Sequence, residues 1–288
     1  MKISAVIIAK NEEEIVRKAL ESVKDFDEII FVDTGSTDKT LEIAQEYTDK
    51  IFNFEWCDDF SAARNFSIDQ ATGDWIYSID CDHVLLSTAD KVRDEAVRAE
   101  NAGHTSAMVL SKGKDNHEHW REVFFKNIPE NRWVGKVHEC FKKKATFYSE
   151  LEREIGYSKN HYSDPERNIR ILKSGDVSTP RAKFYLGREH YERRRYDEAI
   201  DFMKHYLKEP GTWMGEKAEA WLVIARCYWF TQRGDQARHA GLRAVNANPM
   251  NKEVLNFMAT MHNEPWKSGW KKLAEVADNS NVLFIRNK

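Results

Sequence analysis

Cysteine is scarce in this sequence, and its few copies are not grouped. The chain of 288 residues holds four cysteines, Cys57, Cys81, Cys140 and Cys227, and no two of them form a Cys-x-x-Cys pair. This spacing argues against a structural zinc site and against a disulfide framework. Scattered free thiols favour a reducing compartment, so we expect a cytoplasmic protein.

Long apolar runs are missing as well. No stretch approaches the roughly 18 consecutive apolar residues that a transmembrane helix needs, so we expect no membrane span. The first apolar run, Ile3–Ala9, is too short for a signal peptide and is soon followed by three glutamates, residues 12–14. The net charge is −3, and the small basic clusters at 142–144 and 193–195 are interpreted as solvated faces.

The glycine-rich loops that bind phosphate in common nucleotide-binding proteins are also missing. No Gly-x-Gly-x-x-Gly follows the first predicted strand, and no Gly-x-x-x-x-Gly-Lys-Ser/Thr occurs anywhere. Ordinary Rossmann dehydrogenases and P-loop NTPases are therefore disfavoured. A nucleotide would have to be held by side chains at strand ends and by a metal ion.

The stretch around which the chain is organised is a predicted buried strand followed by two aspartates. Residues Trp75–Ile79 are mostly aromatic or β-branched, and Asp80 and Asp82 come directly after them. Because burying an unpaired charge is costly, the two carboxylates either reach solvent at the strand end or share a cation. Asp-x-Asp at such a place suits Mg²⁺ or Mn²⁺, completed by the phosphates of a substrate.

Strands and helices alternate in the first third of the chain. The pattern predicts strands over 3–9, 28–33, 51–54 and 75–79, and helices around 15–23, 41–47 and 61–71. We expect Asn11 to cap the first helix, with the glutamates at 12–14 in its first turn. This alternation indicates βαβ units in an α/β, doubly wound sheet. Asp33 ends the second strand, so one rim would carry Asp33 and the Asp80/Asp82 pair.

The pattern changes after about residue 105. Two strands are predicted over 105–110 and 118–125, and an extended segment over 133–139. From Pro180 onward the apolar residues have the spacing of paired helices, with repeats close to the tetratricopeptide period of about 34 residues. We therefore predict two domains, an α/β domain over 1–173 and an all-α, TPR-like domain over 174–288.

An ordered series of short motifs resembles the family 2 glycosyltransferases of GT-A fold, a Rossmann-like fold that binds nucleotide sugars. The resemblance covers residues 1 to about 170 and is closest to bacterial and phage members with a tetratricopeptide tail, including peptide S-glycosyltransferases. Its motifs are Ala9-Lys10-Asn11-Glu12, Val32-Asp33-Thr34-Gly35-Ser36-Thr37-Asp38, Ala63-Arg64-Asn65, Gly73-Asp74-Trp75, Asp80-Cys81-Asp82, Arg121 with Lys126-Asn127, and Trp133-x-Gly135-x-Val137-His138-Glu139.

The resemblance implies a nucleotide-diphosphate sugar donor, most often a UDP-sugar, with Mn²⁺ or Mg²⁺ on its diphosphate. By the same analogy, the donor's base and ribose lie near Ala9, Asn11, Glu12 and Asp33. Arg64 is expected near the nucleotide. The resemblance assigns Asp82 to the metal, and Asp80 to the ribose, the metal or its bound water.

Several residues of the sequence are candidates for the catalytic base. Inverting transfer needs a group that accepts the proton of the attacking acceptor. Glu139 is our choice, while Asp115, His117 and Glu118 on the preceding loop are alternatives.

Two histidines have alternative roles. His138 is a second candidate for the base, or a nitrogen ligand of Mn²⁺. His161 resembles the family's downstream histidine, but its spacing differs, so its role stays open. His83 is interpreted as a loop residue rather than a ligand.

Three functions from different classes follow from these observations. The leading one is a metal-dependent, inverting glycosyltransferase whose tail holds a protein or peptide acceptor, since tetratricopeptide arrays expose a concave surface. The acceptor could also be a glycan, a lipid or a modified base in DNA. Whether the protein forms a homodimer stays open. The alternatives are a degenerate transferase scaffold that acts as a binding adaptor, and a nucleotidyltransferase.

Overall fold

The structure is a computed structural model that describes residues 1–113, 118–142, 145–156 and 164–277. The chain divides into two compact units, residues 1–165 and 166–288. Our expected boundary, between 173 and 174, falls later in the chain than this division. The difference is one helix, Arg167–Lys173, which packs against the helix Pro180–Glu192 of the second unit.

The first unit is built on a mixed α/β sheet. Its strands are β1 Ile3–Ala9, β2 Glu28–Asp33, β3 Ile51–Asn53, β4 Trp75–Ser78, β5 His83–Leu85, β6 Ser106–Lys112, β7 Glu118–Lys126, β8 Trp133–Val134, β9 Cys140–Phe141 and β10 Phe147–Ile155. Its helices are α1 Val16–Ser22, α2 Thr40–Gln45, α3 Phe60–Asp69 and α4 Ala89–Asn101.

Eight of these strands form one sheet in the order β3-β2-β1-β4-β7-β6-β10-β5. Strands β3, β2, β1 and β4 run parallel, with Ala9 opposite Asp33 in the register of β1 and β2. The central strands are buried on both faces, as near-continuous apolar sequences such as Ile3–Ala9 require. Because the four strands are parallel, their carboxyl ends lie along one edge, where α/β sheets bind ligands.

The start of α1 differs from our expectation. The helix begins at Val16, no side chain caps it, and no acidic residue lies in its first turn. Asn11 instead has a left-handed backbone, with φ of 55°, and its side-chain oxygen accepts a hydrogen bond of 2.7 Å from the Thr37 amide. The predicted cap is therefore wrong, because Asn11 joins two loops rather than starting a helix.

The predicted extended segment over 133–139 is also wrong. Only Trp133 and Val134 are in a strand, and a bend over 135–138 leads to the paired strand β9. Gly135 and His138 both have positive φ, of 97° and 52°. Residues 133–141 thus form a tight hairpin, closed by edge-to-face contact between Trp133 and Phe141, whose ring centroids are 5.1 Å apart.

The described residues of the second unit form helices joined by turns and loops. Its helices are α5 Arg167–Lys173, α6 Pro180–Glu192, α7 Tyr196–Leu207, α8 Met214–Phe230, α9 Gly234–Ala247, α10 Lys252–Thr260 and α11 Trp266–Val276. Helices α6 and α7, α8 and α9, and α10 and α11 pack as pairs across short connections, around a core of their own. The pairs begin at residues 180, 214 and 252, close to the tetratricopeptide period.

This architecture confirms the predicted fold class, an α/β sheet domain followed by TPR-like helices. Two arginines of the basic cluster 193–195 are paired with acids, since Arg195 binds Glu166 at 2.8 Å and Arg193 binds Glu189 at 2.5 Å. Within the described residues, no helix is both long and apolar enough to cross a membrane.

Candidate active site

The carboxyl edge of strands β2, β1 and β4 gathers the polar residues that the sequence singled out. Asp33 is the last residue of β2, Ala9 the last of β1, and Asp80 and Asp82 lie in the turn after β4. Because β1 pairs with both β2 and β4, these three strand ends are neighbours. The predicted common rim of Asp33 and Asp80/Asp82 is confirmed.

Asp33 is tied into the loop that follows its own strand. Its carboxylate accepts hydrogen bonds from the Gly35 amide, at 2.9 Å, and from the Ser36 amide, at 3.0 Å. Gly35 has φ of 103°, a conformation that glycine adopts without a steric cost. Asp33 is only 4% exposed, so it orders this turn whether or not it also contacts a ligand.

The loops after β1 and β2 are joined by hydrogen bonds. The Thr34 amide donates to the Ala9 carbonyl at 2.9 Å, and the Asn11 amide donates to the Ser36 hydroxyl at 2.9 Å. The Glu12 amide donates to Thr40 at 2.7 Å. Ala9, Asn11 and Glu12 therefore lie together with the Asp33 loop.

Asp80, Asp82 and His83 form the candidate metal site among the described residues. One potential ligand atom from each lies within 4.8 Å of the others. The His83 ring places Nδ1 3.5 Å from Asp80 Oδ2 and Nε2 3.6 Å from Asp82 Oδ1. Two carboxylates in such a set suit a hard divalent cation, and their donor chemistry fits Mn²⁺ or Mg²⁺.

His83 is not the loop residue that we expected. It opens strand β5 and is 9% exposed, paired with Ile155 of β10. Burial and the nearby charge of Arg153 lower the pKa of His83 to about 4, so the imidazole is neutral at pH 7.

Arg64, on helix α3, links the turn of Asp80 and Asp82 to the hairpin over 133–141. Its guanidinium binds Asp80 Oδ1 at 2.7 Å and Glu139 Oε1 at 2.8 Å, and it lies over the Trp133 ring. Burial alone would raise the pKa of Asp80, but the Arg64 charge outweighs it and holds that pKa well below its usual range. Asp80 is therefore ionised, with one oxygen engaged by Arg64.

Glu139 lies beside this arginine, and its side chain is only 10% exposed. His138 precedes it in the hairpin, but it does not belong to the Asp80–Asp82–His83 cluster that the described part of the chain forms. Asp115, His117 and His161 lie outside the described residues. Glu118 is the first residue of β7 and is exposed.

Sequence reasoning missed Arg153 on β10. It is 2% exposed, and its guanidinium contacts Ser111 Oγ at 2.8 Å and His83 Nδ1 at 3.0 Å. The signal lay in strand periodicity, because Ser149, Leu151 and Arg153 share one face of β10 and the glutamates between them share the other. That alternation directs the Arg153 guanidinium into the core, next to His83 in the candidate metal cluster.

Comparison with known proteins defines the class to which this sheet and site belong. The sequence model of glycosyl transferase family 2 matches residues 4–156, more than half of the chain. The chain therefore belongs to glycosyl transferase family 2, and the matched region is its glycosyltransferase domain. This membership confirms the resemblance drawn from the motifs.

Two curated relatives and one solved structure illustrate the similarity. The prophage-derived glycosyltransferase SunS of Bacillus subtilis is 32% identical over 255 residues, which cover 81% of this chain and 60% of SunS. A TPR repeat-containing protein of Synechococcus elongatus is 37% identical over 139 residues, 48% of this chain and 34% of that protein. The crystal structure of S. aureus TarS residues 1–349 aligns over 93% of this chain and 92% of its own, with 15% identity and a TM-score of 0.45. The chain thus spans less than two thirds of both curated relatives.

Proposed function

We propose that this protein transfers a sugar from a nucleotide-diphosphate donor, a UDP-sugar, to an acceptor, with inversion at the anomeric carbon. The observation that supports this best is the shared carboxyl edge of β2, β1 and β4, along which Asp33, Asp80 and Asp82 lie at or just after strand ends. Family membership supports glycosyl transfer over nucleotidyl transfer.

In this proposal the nucleotide lies along the β1 and β2 loops. The base and ribose contact Asp33 and the backbone near Ala9, Asn11 and Glu12. The donor diphosphate points towards the turn after β4, where carboxylates and a cation are the groups that complement it.

Asp82 and Asp80 are the residues that would hold Mn²⁺ or Mg²⁺. Asp82 is the principal ligand in this proposal, as the family resemblance assigns it, and Asp80 has one oxygen engaged by Arg64 at 2.7 Å. A divalent cation at this place would stabilise the charge that the leaving nucleoside diphosphate gains. Arg64 adds a permanent positive charge on the same side, since its two carboxylate neighbours keep it protonated.

Glu139 is the proposed general base. Its side chain is held by the 2.8 Å ion pair with Arg64, which also binds Asp80, and this contact supports a position close to the donor. It would accept the proton from the acceptor's nucleophile as that atom attacks the anomeric carbon. His138, its neighbour in the hairpin, remains the alternative for the base, or for an additional metal contact.

The helical second unit is the proposed acceptor platform, for a protein or peptide. Its paired helices resemble arrays that bind peptides. A DNA acceptor receives less support, because Arg193 and Arg195 of the basic cluster are paired with glutamates.

The metal assignment is tested with Asp82→Asn. We expect wild-type protein to gain thermal stability with UDP and MnCl₂ together, by roughly 2.7 kcal/mol at a hundredfold excess over Kd. Asp82→Asn should lose the Mn²⁺-dependent part and keep its melting temperature without ligand. Asp90→Asn is the matched control, because Asp90 is an exposed carboxylate on α4. Equal Mn²⁺ and UDP binding by Asp82→Asn would refute the metal assignment.

The acceptor platform is tested by truncation after Pro165, where the first compact unit ends. The shortened protein should hydrolyse the donor slowly but fail to transfer to a protein or peptide acceptor. Full transfer by the shortened protein would show that the helices are not needed to bind the acceptor.

A further inference from the structure

We propose that His83 is a positioning residue for Asp82 rather than a metal ligand, and that the buried Arg153 sets its tautomer. The inference rests on the proposed metal site at Asp80 and Asp82. It separates the side chains that contact the cation from the side chains that only orient these ligands.

The argument starts from Arg153, a cation without a carboxylate partner among the described residues. Its side chain is buried, and its contacts are the Ser111 hydroxyl, at 2.8 Å, and the His83 ring nitrogen Nδ1, at 3.0 Å. A guanidinium has only N–H donors. His83 Nδ1 must therefore be the acceptor of this hydrogen bond, and it cannot carry a proton.

A neutral imidazole with a bare Nδ1 carries its proton on Nε2. That nitrogen lies 3.6 Å from Asp82 Oδ1, slightly beyond hydrogen-bond distance. In this proposal a small rotation of the Asp82 carboxyl group would bring Oδ1 within hydrogen-bond distance of Nε2, and the hydrogen bond would fix that oxygen. The other oxygen of the same carboxylate would ligate the cation. Ligating carboxylates are commonly held by such a hydrogen bond from behind.

The competing assignment makes His83 a third ligand, since its ring nitrogens lie within 4.8 Å of both carboxylates. A ring that accepts from Arg153 at Nδ1 and binds a cation through Nε2 would have lost both protons. An imidazolate of that kind does not suit a Mn²⁺ or Mg²⁺ site at neutral pH. Coordination through Nδ1 would instead strip the buried Arg153 of an acceptor, which is costly.

The decisive measurement is Mn²⁺ binding to the full chain in the presence of UDP, followed by electron paramagnetic resonance of free Mn²⁺. We expect His83→Leu to weaken Mn²⁺ binding about 10- to 100-fold, as loss of an orienting hydrogen bond does. His83→Gln, whose amide can replace the Nε2–H donor, should recover most of that loss. Unchanged affinity in His83→Leu would show that His83 is a bystander and overturn the proposal.

Pulsed electron paramagnetic resonance of the Mn²⁺-loaded protein separates positioning from ligation. Wild type and His83→Leu should show the same nitrogen coupling, because no imidazole nitrogen of His83 is bound to Mn²⁺. A coordinated-nitrogen signal present in wild type and lost in His83→Leu would make His83 a ligand. His138→Leu is the matched control, since it identifies any signal that arises from the other candidate histidine.

A folding defect is distinguished by a second substitution. His83→Leu leaves Arg153 buried without its acceptor, so we expect the apo protein to melt at a lower temperature. His83→Leu combined with Arg153→Met removes that charge and should restore the melting temperature while Mn²⁺ affinity stays low. If the double variant also regains Mn²⁺ affinity, the effect of His83 is structural only and the proposal fails. Wild-type protein that binds no Mn²⁺ at all would refute the proposed metal site itself, a different outcome.

Discussion

Arg64 Nε and Glu139 Oε1 lie 2.8 Å apart, although the two residues are separated by 75 positions in the sequence. The same guanidinium binds Asp80, so a single cation connects helix α3, the turn after β4 and the hairpin over 133–141. The ion pair orients the carboxylate that we propose as the base. Without Arg64, Asp80 and Glu139 would be two part-buried acids without this shared counter-charge.

Glu139→Gln tests the base directly. The amide oxygen can still accept from Arg64 Nε, so donor affinity and metal dependence should be retained. The amide cannot take a proton from the acceptor, so kcat should fall at least about a hundredfold, within the range that general bases contribute. Steady-state kinetics together with calorimetry of UDP binding checks both parts. A near-normal kcat would show that Glu139 is not the base and would favour His138. Loss of donor binding would show that Glu139 has a structural role instead.

Asp33→Ala should weaken the binding of UDP itself, and not only that of a UDP-sugar. Asp33 holds the amides of Gly35 and Ser36, and it lies where we place the base and ribose. We expect at least a tenfold rise in the UDP dissociation constant by calorimetry, an energy of about 1.4 kcal/mol. Ser36→Ala is the comparison, because it keeps both amide hydrogen bonds to Asp33 and loses only the hydroxyl that accepts from the Asn11 amide. Equal UDP affinity in wild type and Asp33→Ala would restrict Asp33 to ordering the loop.

Gly156→Ala should damage the proposed metal site without replacing any of the proposed ligands. The Gly156 amide donates to the Asp82 carbonyl at 2.5 Å, and a methyl group at Gly156 would meet that oxygen at 2.3 Å. The turn must shift to make room, so Mn²⁺ affinity should fall by an order of magnitude or more. Gly269→Ala is the control, because a Cβ there meets nothing within 4 Å. Normal Mn²⁺ affinity in Gly156→Ala would mean that the position of this turn does not govern the site.

Glu28 should make stability depend on acid pH. Its side chain is fully buried, and burial alone would raise its pKa, but hydrogen bonds from Lys50, Ser4 and Thr72 lower that pKa to about 2 from the usual 4.5. The folded state thus binds the proton less readily than the unfolded chain. The stabilisation is fully present above pH 4.5 and is lost as pH falls towards 2.

Urea denaturation of wild type and Glu28→Gln measures this contribution. At pH 7 the wild type should be more stable by on the order of 3 kcal/mol, and the difference should shrink as pH falls from 5 to 3. Taking the difference between the two proteins removes the effect of other acids. A gap that does not change with pH would show that Glu28 titrates normally.

The local elements of the sheet domain follow from the sequence because their signals are local. The apolar run Ile3–Ala9 and the β-branched run Glu28–Asp33 match strands β1 and β2 residue for residue. The Asp80/Asp82 pair was recognisable as a candidate metal site, since carboxylates seldom follow a core strand without a purpose. Errors arose where the chain bends, at Asn11 and over 133–139, because left-handed backbone conformations leave little trace in residue patterns.

The sequence by itself determined the alternation of strands and helices, the rim of Asp33, Asp80 and Asp82, and the helical repeats of the second unit. Tertiary structure alone decided that Arg64 joins Asp80 to Glu139, and that Arg153 lies behind His83. Periodicity specifies which face of an element is buried, and that depends on near neighbours in the chain. Which buried side chain meets which depends on strand order and register across the whole sheet, where residues some 70 positions apart come within 3 Å.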